Sequence, residues 1–333
     1  APSGAASSMM WPCALDGVPV DSPPPAARLT GVAILDRDHL AVTFLEGEVK
    51  FKDDGAGPAA FGGAESATED NWVVPYGPLD TVAAADARNW RIVSAEDPAY
   101  GSEGRHPARV FRKSKIAGMA QLKWEEDKRD YHYEAPLGHV IYLRLPSSLR
   151  AGVRYRLAAD GKLAPGAAPA EFVFDAFASP SEALHVNLVG YPDGPGVNSA
   201  DLYHWMGDGG ARDYGAFEGA TVFLCDVRSG ERRAAGTVKA WAKRGADLGK
   251  YDLTGSDVWT ADFGPVAAPG VYRIAVEGIG CSPDFTVGRG VYEIPFKVAV
   301  KGFYYMRIGE VERPDIRPVP RQPPYIPGQS PPG

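Results

Sequence analysis

Along residues 27–52, ARLTGVAILDRDHLAVTFLEGEVKFK, apolar and polar positions alternate around the turn Asp36-Arg37-Asp38. A period of two marks a strand with one buried face, so Ala33, Leu35, Leu40, Val42 and Phe44 are expected on the inner face of a β-hairpin. Further strand-like runs are NWRIV (89–93), ARVFR (108–112), HVIYLRL (139–145), VRYRLAA (153–159) and EFVF (171–174). Between them, residues 53–88 and 113–134 are rich in Gly, Ala and charge and read as irregular insertions. A second series follows: LHVNLVGYP (184–192), ATVFLCDV (220–227), RAAGTVKAWAK (233–243), DVWTADF (257–263), VYRIAVEG (271–278) and PDFTVG (283–288). Short strands separated by turn signals at this density give the pattern of an immunoglobulin-like sandwich.

The expected fold is all-β: an N-terminal extension (1–26), a first sandwich with long loop insertions (27–180), a second (181–290), a short connecting helix (291–310) and a proline-rich tail (311–333). The tail's prolines favour extended, polyproline-like backbone. An internal echo relates the two series. LRAGVRYRLAADG (149–161) and VAAPGVYRIAVEG (266–278) both place a Gly shortly before Tyr-Arg. Tyr155 and Tyr272 are therefore expected to form tyrosine corners, with the ring in the core and the hydroxyl bonded back to the preceding turn.

Composition narrows the function classes. The 333 residues suffice for two domains with separate cores, and 39 Gly with 30 Pro favour short strands over long helices. A formal net charge of −7 argues against a general nucleic-acid binder, which needs concentrated positive charge. No run of 18 apolar residues spans a membrane, and the small, polar start APSGAASSMMWPC suits a mature secreted chain. Of the three cysteines, Cys225 and Cys281 fall in one series and either pair or stay as buried thiols, with Cys13 left over.

Three stretches carry a more specific likeness: HVNLVGYP (185–192), VWTADFGPVAAPGVYRIAVEGIGCSPDFTVG (258–288) and YEIPFKVAVKGFYYMRIGE (292–310). In order and spacing they resemble the amino-terminal immunoglobulin-like region of glycoside hydrolase family 9, the cellulase family, over about 183–310. The resemblance implies that Val189-Gly190-Tyr191 opens the domain and that Asp262, Phe263, Pro269, Gly270 and Tyr272 lie near its end. It implies that the helix bearing Phe303, Tyr304, Tyr305 and Arg307 packs against a catalytic barrel, whose residues this chain does not contain. Val298, Phe303, Tyr305 and Met306 largely recur on one helical face. In such a parent protein the second sandwich is expected to brace that barrel through Trp259, Phe263 or neighbouring surface, and the first to extend the substrate cleft or contact polysaccharide. The family's Asp-x-Gly-Asp base motif does not occur here, so the chain reads as a non-catalytic accessory region of a secreted, β-1,4-glucan-directed hydrolase. The partners expected are the barrel, a polysaccharide or a second copy of the chain, with no nucleic acid and no membrane. The alternatives are a free-standing carbohydrate-binding protein and a self-assembling extracellular one.

The loop DLYHWMGDGGARDYGAFEG (201–219) is the richest in candidate chemistry. Asp208 and Asp213 in a glycine-rich turn suit oxygen ligation of Ca2+, although solvated turn residues have the same composition. No other cofactor is expected. Tyr203, Trp205, Tyr214 and Phe217 cluster there, and Trp72, Tyr76, Trp90, Tyr100 and Trp124 lie in the first series. Aromatic rings stack on the C–H faces of sugars, so Tyr203, Trp205, Tyr214, Trp72, Trp90 and Trp124 are candidates for carbohydrate contact, against the alternative of packing under long loops. Six histidines show no zinc-ligand spacing.

Overall fold

The computed structural model describes residues 26–51, 71–196, 198–246 and 252–305. The N-terminal extension, Cys13, Arg307 and the proline-rich tail lie outside them, as do the side chains of Trp72, Trp124, Tyr304 and Tyr305. The fold is all-β.

The first series holds twelve strands among the described residues. These are β1 (Arg28–Asp36), β2 (His39–Leu45), β3 (Gly47–Phe51), β4 (Asn71–Pro75), β5 (Trp90–Ser94), β6 (Gly101–Arg105), β7 (Arg109–Ile116), β8 (Ala120–Glu125), β9 (Asp130–Glu134), β10 (Leu137–Arg144), β11 (Arg154–Ala159) and β12 (Ala170–Val173). They form two four-stranded sheets, β1-β2-β10-β7 and β12-β11-β5-β6, and two separate pairs, β3-β4 and β8-β9. The stretch expected to be irregular over 113–134 is thus largely a hairpin, with Ala120 opposite Glu134 and Glu125 opposite Asp130. Its mixed charge concealed the pairing, because charged residues on both strands break the apolar alternation by which a strand is recognised. Between β4 and β5 runs the helix α1 (Thr81–Ala85), capped where the Asp80 carboxylate accepts from the Val82 and Ala83 amides.

Ile34, Leu40, Val42, Phe44, Ile141 and Leu143 from one four-stranded sheet meet Trp90, Ile92, Tyr155 and Leu157 from the other in one core. This corrects the expected hairpin face. Leu40, Val42 and Phe44 point into that core, but Ala33 and Leu35 point the opposite way. The cause is register: Ala33 pairs with Ala41 and Ile34 with Leu40, with a bulge at Leu35. The sheet is buried on both faces, so both parities are apolar and alternation alone cannot choose between them.

The second series comprises β13 (Leu184–His185), β14 (Ser199–Leu202), β15 (Thr221–Asp226), β16 (Arg232–Ala242), β17 (Val258–Asp262), β18 (Gly270–Val276), β19 (Gly280–Cys281) and β20 (Phe285–Val287). Their order is β13-β14-β17-β16-β15-β18-β19, with β20 also paired to β18. One strand turns the sheet back on itself: β16 pairs with β15 through Arg232–Thr237 and with β17 through Val238–Ala242. At the corner sits Gly236, where a Cβ would lie 1.8 Å from the Asp262 carbonyl oxygen.

Both expected corners form. The Tyr155 hydroxyl accepts from the Arg150 amide at 2.8 Å and donates to Asp97 at 2.7 Å, and Tyr272 donates to the Ala268 carbonyl at 3.0 Å. A third of the same kind is Tyr191, which accepts from the Asn187 amide at 2.9 Å and donates to the Ser199 carbonyl at 2.8 Å. Cys225 and Cys281 are free, buried thiols. Cys225 is opposite Arg273 on one side of β18 and Cys281 opposite Ala275 on the other. Two strand spacings, about 9–10 Å, therefore separate them, beyond the ~7 Å a disulfide spans.

The helix α2 (Glu293–Tyr305) follows the last strand, and Ile294, Phe296, Val298, Val300 and Phe303 on it are all exposed.

Candidate functional site at the junction of the two series

The loop singled out in the sequence proves to be a wedge. Its buried residues His204, Met206, Tyr214 and Phe217 are joined in one apolar core with Leu35, Ala41 and Tyr142 on the outer face of β1-β2-β10-β7. Two glycines let its backbone lie directly on β7. A Cβ on Gly207, at φ +67°, would fall 2.0 Å from the Arg112 carbonyl oxygen, and one on Gly209 would fall 2.5 Å from the Phe111 ring.

The two candidate metal ligands are engaged otherwise. Asp208 Oδ1 accepts the Arg112 backbone N–H at 2.7 Å, satisfying an edge strand that has no neighbour on that side. Asp213 Oδ1 accepts the Gly215 N–H at 2.8 Å and so shapes its own turn. Among the described residues no group of three His, Cys, Asp or Glu is placed to hold a metal ion.

Polar residues that sequence reasoning missed clamp the wedge in place. Arg212 donates from Nε to Asp36 at 2.8 Å and through its guanidinium to Asp38 at 3.3 Å and to the Asp213 carbonyl at 2.6 Å. The Asp36 carboxylate is wholly buried and also bonds His39 Nδ1 at 3.0 Å. Burial alone would raise the Asp36 pKa, but the His39 bond and the His39 and Arg212 charges take it below its ordinary value. Tyr214 is fully buried, and that burial, followed by the nearby Asp36 charge, pushes its phenol well above the usual range. The Arg37 amide donates to the Gly278 carbonyl at 2.9 Å, a further tie between the two series.

The candidate aromatics separate by depth. Tyr214 and Trp90 have no exposed surface, so neither can present a ring to a sugar. Trp90 is a core residue, edge-on to Phe44 at 6.1 Å with its indole N–H donated to the Ala84 carbonyl at 2.9 Å. Tyr76, Tyr100 and Phe217 are buried too, as are Trp259 and Phe263, which leaves the last two unable to brace another body. Tyr203 and Trp205 remain at the surface, the latter 46% exposed.

Those two line a cleft of about 460 Å3 between the wedge, the 180–188 segment and Lys113 of β7. The Tyr203 ring stacks on His185 with centroids 4.2 Å apart, and His185 Nε2 lies 3.1 Å from the Tyr203 carbonyl oxygen. Lys113 is partly desolvated, which lowers its pKa, and its Nζ stands 5.5 Å above the Tyr142 ring. His204, on the inner wall, is lowered to about 3 by burial and then by the Lys113 charge, so it is a neutral imidazole. A second, more polar cleft of about 630 Å3 opens on the other side of the wedge beside Arg109, Arg144 and Arg212.

No known family model matches the chain. A segment of 56 residues, 17% of the chain, is 43% identical to endoglucanase D of Acetivibrio thermocellus. The same identity and coverage are found with endoglucanase D of strain ATCC 27405 of that organism. The chain spans about 9% of the length of these curated relatives. A short part of it is thus similar to a short part of an endoglucanase.

Proposed function

We propose that the chain is a non-catalytic accessory region of a secreted, family 9-like glycoside hydrolase acting on β-1,4-glucan, with two sandwich units over 27–180 and 181–290 that together form a rigid brace for a catalytic barrel. The observation that carries this reading is α2. Ile294 and Val298 project on one side of the helix and Phe296, Val300 and Phe303 on another, so Val298 and Phe303 do not share the face expected of them, because five residues turn the helix by about 140°; all five are exposed. Glu293, Lys297 and Lys301 follow one another at intervals of four as a single narrow polar stripe, with Lys297 paired to Glu293. The apolar face left over is far wider than the stripe a surface helix buries, and it suits contact with a larger body. The endoglucanase similarity supports the identity of that body. The wedge and its Arg212–Asp36 clamp supply the stiffness that a brace needs.

The test is the intact mass of the polypeptide that carries this sequence in its native source. A mass larger than that of these 333 residues by about 50 kDa, a catalytic module's worth of chain, is expected. An equal mass overturns the reading. So does hydrolysis of a soluble β-glucan by the 333-residue chain itself, if one carboxylate substitution abolishes it.

A further inference from the structure

The geometry points to the cleft beside Trp205 as a binding site for a neutral β-linked glucose oligosaccharide, seated on Trp205 and the Tyr203–His185 stack. The inference rests on the polysaccharide reading above for its choice of ligand, and on the cleft itself for everything else. Its volume of about 460 Å3 lies within the usual range for small-ligand sites and accommodates roughly two or three sugar rings.

Three features make it a built site. First, its aromatic surfaces are held in place. The carbonyl of Tyr203 is tied to the ring it stacks on, and the Trp205 backbone bridges to Ala211 across the tight loop. The Trp205 indole also lies against the next turn, where a Cβ on Gly255 would be 3.4 Å from its Cδ1. Rings fixed before the ligand arrives lose little entropy on binding. Second, Leu184, Val186 and Leu188 extend the apolar lining, and Leu188 is 72% exposed. A glucose ring with equatorial hydroxyls presents C–H faces to such a surface and hydroxyls to its rim.

Third, the charged groups in the lining balance. Lys113 offers an ammonium donor and Glu182 a carboxylate acceptor, and Lys113 forms no ion pair within 4.0 Å among the described residues. One donor and one acceptor suit the vicinal hydroxyls of a neutral sugar. A uniformly anionic or cationic ligand would meet one of them as a like charge. Trp241 is also exposed, at 68%, on β16 and stands outside this cleft, so it provides a control.

Calorimetric titration of the full chain with cellohexaose tests the site. Saturable binding is expected, weakened about tenfold or more by Trp205→Ala and by Tyr203→Ala, reduced less by Trp205→Phe, which keeps a ring, and unchanged by Trp241→Ala. The melting temperatures of the variants establish that each is folded, and Trp205→Phe keeps the test decisive if a truncation unfolds the loop. Absence of heat with cellohexaose at millimolar concentration overturns the inference. Binding unaffected by Trp205→Ala, or lost equally in Trp241→Ala, also overturns it. Failure here combined with a native polypeptide about 50 kDa larger would remove the sugar site and leave the accessory role standing. Binding by a native polypeptide of only 333 residues would do the reverse.

Discussion

His204 lies edge-on to Tyr142, with Nε2 3.1 Å from the tyrosine oxygen, and burial followed by the Lys113 charge lowers its pKa from 6.5 to about 3. In the unfolded chain the same imidazole protonates near its ordinary value. Below pH 6.5 the unfolded state therefore binds a proton that the folded state refuses, and stability falls as pH drops toward 3, by up to about 1.4 kcal/mol per pH unit. Asp36 acts in the same direction at lower pH. Its depressed carboxyl contributes stability that is present above the unfolded value of 3.8 and lost as pH falls through the folded one. Urea unfolding at pH 7 and pH 5 is expected to show a loss of about 2 kcal/mol in the wild type. His204→Phe should be less stable at pH 7, having lost the Tyr142 contact, yet nearly flat over that interval. An equally steep slope in the variant would assign the acid sensitivity to another group.

At the scale of elements, the central object is the sheet β1-β2-β10-β7, which has one core on each face. Arg212 fastens the wedge to it through Asp36, and a buried carboxylate deprived of its cation is costly. Arg212→Ala is expected to destabilise the chain by about 3 kcal/mol, and Asp36→Asn in the same molecule should restore part of that, because no unmatched charge then remains buried. A double-mutant cycle by urea denaturation measures the coupling; additive losses would show that the pair is not energetically joined. The two residues are 176 positions apart, so no local pattern links them in the sequence. Tyr155 and Tyr272 were legible because a tyrosine corner is a local motif with its partner four or five residues away. The parity of β1 was not, because burial of both faces removes the polar half of the alternation. The aromatic loop was legible by composition alone. Only tertiary packing decides that Tyr214 is core while Trp205, in the same loop, faces the cleft.

For the whole molecule, the informative asymmetry is between the junction of the two series, where even an arginine finds two carboxylates, and α2, whose apolar side chains remain exposed. If α2 is the point of attachment to a larger body, its apolar residues have opposite roles in the two forms. In the 333-residue chain they are exposed apolar surface, which promotes association between copies. In the native polypeptide they are packed, and each is a core residue. Replacing Phe296 and Phe303 with Lys is therefore expected to leave the melting temperature of the 333-residue chain unchanged while reducing its self-association in light scattering. The same pair of substitutions in the native polypeptide should cost at least about 3 kcal/mol, the scale of truncating one buried phenylalanine and then burying a charge in its place. If the pair proves neutral in the native polypeptide, α2 is solvent-facing there as well, and the bracing surface must be sought elsewhere on the second sandwich.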